Sequence, residues 1–244
     1  MRDDLLDAQV AVNWAVAQTE PFQQRVDSWA SINLNVRIED TPAPASHNRI
    51  IALLKEPLPR VFNVEFGAYI NAIRTSLDIL ATVLVTRHGI SNSAEIYFPV
   101  ARSADAFRRG NYRLVNGLPD VERRKIELLK PYQGGHPYLW DLHNLDIVRK
   151  HRRLINLSSR PVGFGRANSS TEDFVPNPVL SDWTLRVNEE TEIGTLRKGR
   201  DDSYIKFFPT VACSEPGSVY RFPLTAAIFR FADAATRIIA LFDD

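Results

Sequence analysis

The chain has 244 residues, of which 44% are hydrophobic and 24% charged, and its formal net charge is +1. These values are typical of a globular protein that is long enough to bury a sizeable core. The near balance of 30 Lys and Arg against 29 Asp and Glu argues against a dedicated nucleic-acid-binding or membrane-surface protein.

The sequence also predicts where the protein works. Its single cysteine, Cys213, cannot form an internal disulfide, which suits a reducing compartment. The first residues, MRDDLLDAQ, are acidic where a signal peptide is basic and then apolar. The most apolar run, residues 77–85, is far shorter than the roughly 20 residues that span a bilayer, and Asp78 interrupts it. We therefore expect a soluble cytoplasmic protein without a membrane segment.

The N-terminal part predicts two helices followed by a β hairpin. Residues 3–19 carry apolar side chains at helical spacing, and Pro21 can open a second, shorter helix. INLNVRI (32–38) alternates as a strand does, and RIIALLKE (49–56) follows after a proline-rich loop. We expect a hairpin over about residues 31–56.

The central part of the chain predicts two long helices with two short ones between them. Residues 64–85 contain no proline and one glycine, and residues 138–157 form the second long segment. The shorter helices are expected at 103–109 and 119–130, the latter bounded by prolines.

The C-terminal part predicts a small antiparallel sheet and a last helix over 224–242. The predicted strands are short alternating runs separated by turn residues: TLRV (184–187), EIGTLR (192–197), YIKFFPTVA (204–212) and SVYRF (218–222). The last helix has apolar residues on most of its surface, so it either lies in the core or forms a homo-oligomer interface. Other partners are unknown from the sequence.

The predicted fold class is α+β, in a single domain over residues 1–244. A helical bundle forms the core, with the N-terminal hairpin and a small C-terminal antiparallel sheet closed by the C-terminal helix. The helical body covers about 1–158, and the β-rich segment with the terminal helix covers about 159–244.

A helical wheel of residues 138–157 places polar side chains on the apolar face. Asn144 and His151 lie near its middle, His143 at one edge, and Arg152 and Asp141 at the other. The basic residues that point away are Arg149, Lys150 and Arg153. We therefore expect His151 to be buried and Arg149 and Arg153 to be exposed.

The long helix 64–85 has a polar stripe that could face this histidine. Asn71, Arg74, Asp78 and Thr82 form the stripe, and Arg74 and Asp78 are spaced to pair directly. We expect the two long helices to pack together, with Arg74, Asp78 and His151 in one hydrogen-bonded network. Such a network is structural, catalytic or ligand-binding, and the sequence leaves these alternatives open.

The leading interpretation is an interaction or ligand-binding domain with a structural cluster; whether the protein is an enzyme stays open. The alternative is a metal-independent phosphodiesterase or ribonuclease-like enzyme, because no metal, cofactor or activated-nucleophile motif is present. Its candidate catalytic residues are His151, Asp78, Arg74 and Arg152. The candidate binding residues are Asn144, His143, Arg149 and Asn71. The Arg-X4–6-His pattern of HEPN-type ribonucleases is absent.

Four segments carry a resemblance to a known family. They are RTSLDIL (74–80), FPV (98–100), LKPY (129–132) and LWDLHNLDIVRKHR (139–152). Their order and spacing resemble a family of uncharacterised bacterial proteins with R-S-A-L-D-H-L, F-P-[IV], L-[QK]-P-Y and L-W-x-L-H-x-L-x-x-x-D-K-H-R segments. The resemblance implies a bacterial origin and an architecture, without an established activity. Ile79 and Arg149 stand where the family has His and Asp. If either of those family residues is catalytic, catalysis would be impaired in this chain.

Overall fold

A computed structural model describes residues 1–90, 96–110, 112–165, 174–176, 185–198 and 206–243. After a short 3-10 turn at Asp3–Leu5, the helices are α1 (Leu6–Ala17), α2 (Thr19–Asn33), α3 (Arg60–Arg87), α4 (Ala104–Arg109), α5 (Arg113–Gly117), α6 (Asp120–Leu128), α7 (Pro137–His151) and α8 (Leu224–Ala240). The strands are β1 (Leu34–Glu39), β2 (His47–Leu54), β3 (Leu157–Gly165), β4 (Phe174–Pro176), β5 (Glu190–Arg197) and β6 (Lys206–Cys213). The predicted α+β class is confirmed.

The chain divides into two compact units, each built from separate parts of the sequence. The helical unit comprises Met1–Glu20, Asn63–Asn156 and Cys213–Asp244. The β unit comprises Pro21–Phe62 and Leu157–Ala212. The expectation of one domain over the whole chain stays a prediction.

In the helical unit, α8 packs against α1 and α7. The fully buried ring of Phe231 meets the ring of Tyr138 edge to face, with centroids 6.2 Å apart. The buried residues of α8 are Leu224, Ala227, Ile228, Phe231, Ala232, Ala234, Ala235, Ile238 and Ile239. The C-terminal helix is therefore a core element, which was one of the two predicted roles.

The β unit contains a four-stranded sheet in the order β1-β2-β5-β4 and a two-stranded sheet of β3 and β6. The predicted hairpin is confirmed: β1 and β2 are antiparallel, with Leu34 opposite Leu54. β5 then pairs with the other edge of β2, where His47 is opposite Arg197. The buried apolar residues of this sheet region form one cluster: Leu34, Ile50, Ala52, Leu54, Leu185, Ile193 and Leu196. The hairpin and two C-terminal strands thus share one sheet.

Several predicted boundaries are wrong for local reasons. α7 ends at His151 instead of residue 157, because Arg152 leaves the helical conformation (φ −127°, ψ −59°). The predicted strand 218–222 is a series of turns, and Arg221 has a φ of +68°. Residues 185–187 form only an isolated bridge from Val187 to Leu54. Thr184 and residues 204–205 of the predicted strands lie outside the described residues.

Within the described residues, α3 is the helix long and apolar enough to cross a membrane, by length and composition only. Its most apolar window has a mean hydropathy of 1.3, and 56% of that window is buried inside the protein. Phe66, Leu77 and Leu84 of this helix are fully buried. α3 therefore serves as a core helix of the helical unit.

Candidate functional site

Helices α3 and α7 of the helical unit pack along a line of polar contacts. Gly67 approaches Arg149, Asn71 bonds Asp146, and Arg74 bonds His143, so contacts that advance along α3 step backwards along α7. The helices are therefore antiparallel, and their predicted packing is confirmed. We call the side chains on this line, Asn71, Arg74, Asp78, His143, Asp146, Arg149 and Lys150, the polar seam.

Arg74 is the centre of the polar seam and is only 3% exposed. Its Nη1 donates to Asp78 Oδ1 (2.6 Å), its Nη2 to the Phe98 carbonyl (3.0 Å), and its Nε to His143 Nδ1 (3.4 Å). The Phe98 amide in turn donates to Asp78 Oδ1 at 2.9 Å. The guanidinium is thus satisfied on three sides and ties the loop at Phe98 to α3. The predicted Arg74–Asp78 pair is confirmed.

His143 is held in a neutral form. Because its Nδ1 accepts from Arg74, the proton of the neutral ring lies on Nε2. Burial, and then the positive charge of Arg74, lower the pKa of His143 to about 4. The imidazole is therefore uncharged at neutral pH and serves the seam as a hydrogen-bond acceptor.

Asp146 forms the second half of the seam. Its buried carboxylate accepts from Asn71 Nδ2 at 3.1 Å and pairs with Lys150 Nζ at 2.7 Å. Arg149 Nε lies 3.6 Å from the same carboxylate, and the Arg149 stem covers Gly67. Arg149, which was expected to be exposed, is half-buried for this reason.

The predicted place of His151 in this network is wrong. His151 is exposed and ends α7 eight residues after His143, which is about 12 Å further along the helix. Arg152 is exposed beside it. The wheel centred the inward face near Asn144 and His151, whereas the buried residues of α7 are Leu139, Asp141, Leu142, Leu145, Asp146 and Val148. The buried face lies about 140° around the helix from the predicted one.

A glutamate explains why the basic end of α7 turns outward. Arg153 forms an ion pair with the buried carboxylate of Glu215, and the Asn156 amide donates to the same carboxylate at 2.7 Å. These contacts hold residues 153–156 away from the helical path. Arg153 is exposed, as predicted.

Beside the seam, the helical unit contains an open cleft of about 630 Å³. Its lining comes from the turn before α7, from α7 itself and from the loop after β6: Gln133, Gly134, Gly135, Pro137, Trp140, Asp141, Asn144, Pro216, Gly217 and Ser218. We call it the α7 cleft. Of the predicted binding residues, Asn144 lies in this cleft, whereas Asn71, His143 and Arg149 lie in the seam.

The floor of the α7 cleft is a carboxylate held by a tight loop. Asp141 is 9% exposed, and its Oδ2 accepts from the Ser218 amide. Gly217 has a φ of +146°, and a Cβ there would lie 2.8 Å from the Asp141 carboxylate. Only glycine fits this approach.

The turn on the other side of the cleft is fixed by the start of α7. His136 caps the helix, and its Nδ1 accepts from the Leu139 amide at 3.3 Å. Burial lowers the pKa of His136, which favours the neutral ring that can accept this bond. Gly134 has a φ of +84°, and Gly135 donates its amide to the Tyr132 carbonyl at 2.9 Å.

The seam and the cleft touch through two rings of α7. Trp140 lies in the cleft and His143 in the seam, and their ring centroids are 6.3 Å apart. Because Arg74 fixes the ring of His143, the seam supports the wall of the cleft that Trp140 forms. The two features are therefore one continuous piece of structure along α7.

The sequence did not identify Trp140, Gly217 and Ser218 as candidate site residues, and it placed Asp141 only at the edge of the inward face of α7. The signals were weak: a double glycine in YQGGHPY just before a helix, and a Pro-Gly pair at 216–217. A turn and a loop about 80 residues apart in the chain do not indicate from sequence alone that they meet.

Two other chemistries have little support in the described part of the chain. There, no group of three or more His, Cys, Asp or Glu side chains is placed to hold a metal ion. Cys213 is a buried free thiol, and burial raises its pKa to about 11. The thiolate that would act as a nucleophile is therefore scarce at neutral pH.

Comparison with the profiles of known protein families, with curated proteins and with solved structures finds no match. The family resemblance of the four sequence segments stays a prediction, and the functional argument rests on the geometry of the seam and the cleft.

Proposed function

We propose that the protein binds a small molecule in the α7 cleft and that the polar seam is the structural support of that site. The observation that carries this proposal is the convergence of Trp140, Asp141 and Asn144 in one cleft. Two of these side chains, Trp140 and Asn144, are close in sequence to His143, one of the residues that join α7 to α3. The function is therefore binding, with the reactive-looking cluster in a supporting role.

The structural reading of the seam follows from how its groups are used. Arg74 directs its three donor groups to protein acceptors, and His143 is neutral and accepts one of these bonds. Asp146 is neutralised by Lys150. Buried polar groups that are satisfied in this way specify how two helices pack. A catalytic group, in contrast, must keep a hydrogen-bonding position free for its substrate.

The binding reading of the cleft follows from its size and lining. Its volume lies within the roughly 300–1,000 Å³ that is usual for small-molecule sites. Its lining residues supply an indole, a carboxylate and two side-chain amides, which can orient a polar ligand. Its walls are held by the cap at His136 and the close contact at Gly217, so the site is preformed.

The alternative, a phosphodiesterase that uses His151 with Arg74, Asp78 and Arg152, has no observation in its favour. Arg74 and Asp78 bond each other inside the seam, while His151 and Arg152 lie at the exposed end of α7. We also propose a cytoplasmic protein of bacterial origin. The buried free thiol of Cys213 and the burial of α3 support the first part, and the motif resemblance supports the second.

Ligand-observed NMR with a mixture of amines, sugars, carboxylates and nucleotides tests the binding function. We expect wild-type protein to bind at least one class, and Asn144→Trp, which places an indole in the cleft, to abolish that binding. His151→Ala is the matched control on the same helix and should bind as wild type does. Binding that survives Asn144→Trp in a folded protein, or no binding by wild type, would contradict the proposal.

A further inference from the structure

We infer that the ligand of the α7 cleft is an organic cation whose ammonium group lies beside Asp141 and Trp140. This inference rests on the proposed binding function and adds the chemical class of the ligand to it.

The helical unit pairs two of its buried carboxylates with cationic side chains. Asp146 pairs with Lys150, and Glu215 pairs with Arg153. Asp141 is also buried, at 9% exposure, yet across the described residues its only hydrogen bond comes from the Ser218 amide and no cation pairs with it. A carboxylate that is removed from water without a cation is costly. Asp141 therefore lacks the partner that the other two have.

The missing partner can reach Asp141 from the cleft. Asp141 is one of the residues that line the cleft, beside Gly217 and Ser218 of the loop that contacts its carboxylate. A ligand with a positive charge would complete at this position what Lys150 completes at Asp146. A few polar or charged groups in the lining of a cleft are what fix the orientation of a bound ligand.

The rest of the lining favours a cation over an anion. The ten lining residues contain no Lys, Arg or His side chain, so no charged donor is available to a phosphate or carboxylate ligand. The amide oxygens of Gln133 and Asn144 can accept from an ammonium, which carries three donors and no acceptor. The charge and hydrogen-bonding capacity of the cleft thus match an ammonium group.

Trp140 adds an attraction for the same kind of ligand. The indole has the strongest cation–π interaction of the aromatic side chains, effective within about 6 Å of its centroid. Its ring packs against the neutral ring of His143, which adds no competing positive charge at neutral pH. An ammonium between Trp140 and Asp141 meets a ring face and a carboxylate together.

Three probes of one shape separate the charge of the ligand from its size: benzylammonium, benzyl alcohol and benzoate. We expect wild-type protein to bind benzylammonium at least tenfold more tightly than either of the others in NMR titrations. Asp141→Asn keeps an oxygen that can accept from the Ser218 amide but removes the charge, and should weaken benzylammonium binding tenfold or more. Asp233→Asn makes the same charge change on the exposed side of α8 and should leave binding unchanged.

A second variant covers the case in which Asp141→Asn fails to fold. Trp140→Leu keeps an apolar side chain without the ring face and should weaken benzylammonium binding severalfold more than benzyl alcohol binding. Three outcomes would overturn the inference that the ligand is a cation. Wild type binds benzylammonium and benzyl alcohol equally, it binds benzoate or none of the three probes, or folded Asp141→Asn binds benzylammonium as tightly as wild type does. If a sugar or an anion then binds and is lost in Asn144→Trp, the binding function stands without the cation. If nothing binds, both fail.

Discussion

Arg74 illustrates how one buried charged residue organises several segments. Its guanidinium joins Asp78 on its own helix, the Phe98 backbone of a loop and His143 on α7. The pair with Asp78 could be predicted, because residues four apart on a helix face are neighbours. The bonds to Phe98 and His143 could not, since the sequence does not indicate which loop or which turn of α7 lies opposite.

Replacing Arg74 should be strongly destabilising. Arg74→Ala removes one donor each from Asp78, the Phe98 carbonyl and His143, and we expect a loss of about 3 kcal/mol in the free energy of unfolding. Arg237→Ala removes an exposed pair with Asp233 on α8 and should cost well under about 1 kcal/mol. Urea unfolding of the two variants beside wild type measures this contrast. Equal losses would mean that the seam is not a structural network.

The neutral state of His143 predicts a stability that depends on pH. Its pKa is about 4 in the folded protein against an ordinary 6.5, so the unfolded chain binds more protons between these values. Stability is therefore complete above about pH 6.5 and falls as the pH drops towards 4, by up to about 3 kcal/mol from this residue.

His143→Asn should remove this dependence while keeping an acceptor for Arg74. The difference in unfolding free energy between wild type and variant should shrink steadily from pH 6.5 to pH 4. A difference that stays constant over this range would show that His143 titrates normally.

His151 should tolerate substitution, in contrast to His143. It is exposed at the end of α7, so His151→Ala should change the free energy of unfolding by less than about 0.5 kcal/mol. In EDTA, wild type and variant should be equally inert towards single-stranded RNA and cyclic nucleotides. Cleavage by wild type that disappears in the variant would restore the phosphodiesterase alternative.

At the scale of elements, the sequence predicted the features that follow from periodicity. It missed the direction that the inward face of α7 takes and the residue at which α7 ends. The hairpin of β1 and β2 and the pairing of α3 with α7 followed from alternating and helical spacing. The predicted inward face of α7 was wrong by about 140° because its polar and apolar residues are mixed around the helix. Its end was wrong because Glu215, far along the chain, draws the following residues outward. The α7 cleft could not be predicted from sequence either, because its two sides are also far apart in the chain.

The α3–α7 contact predicts an unusual response at Gly67. Glycine inside a helix normally costs about 1 kcal/mol relative to alanine. A Cβ at Gly67, however, would lie 2.7 Å from Arg149 Cδ, so Arg149 must move away from Asp146. We expect Gly67→Ala to destabilise wild type but to stabilise Arg149→Ala by up to about 1 kcal/mol. Thermal unfolding of the four proteins in this cycle measures the coupling, and additive effects would rule out the contact.

For the whole molecule, α8 offers a matched pair of phenylalanines. Phe231 is fully buried, whereas Phe229 is 49% exposed. Phe231→Ala should cost about 3–5 kcal/mol in the free energy of unfolding, and Phe229→Ala should cost much less.

A chain that ends at Arg221 should fail to fold in sedimentation and circular dichroism, because α8 closes the core. If full-length protein sediments as a dimer and Phe229→Asp as a folded monomer, α8 also carries the proposed self-association surface; a truncated chain that folds would contradict its core role.

The pairing of β2 with β5 has a consequence for how the protein is made. His47 pairs with Arg197, which is synthesised about 150 residues later, so this edge of β2 is uncovered until then. During translation the finished hairpin of β1 and β2 therefore emerges from the ribosome with an open edge of backbone donors and acceptors. At translation rates of about 5–20 residues per second, that interval lasts about 8–30 seconds. Nascent chains are most exposed to strand-to-strand aggregation in this interval, which is also when a chaperone would bind them.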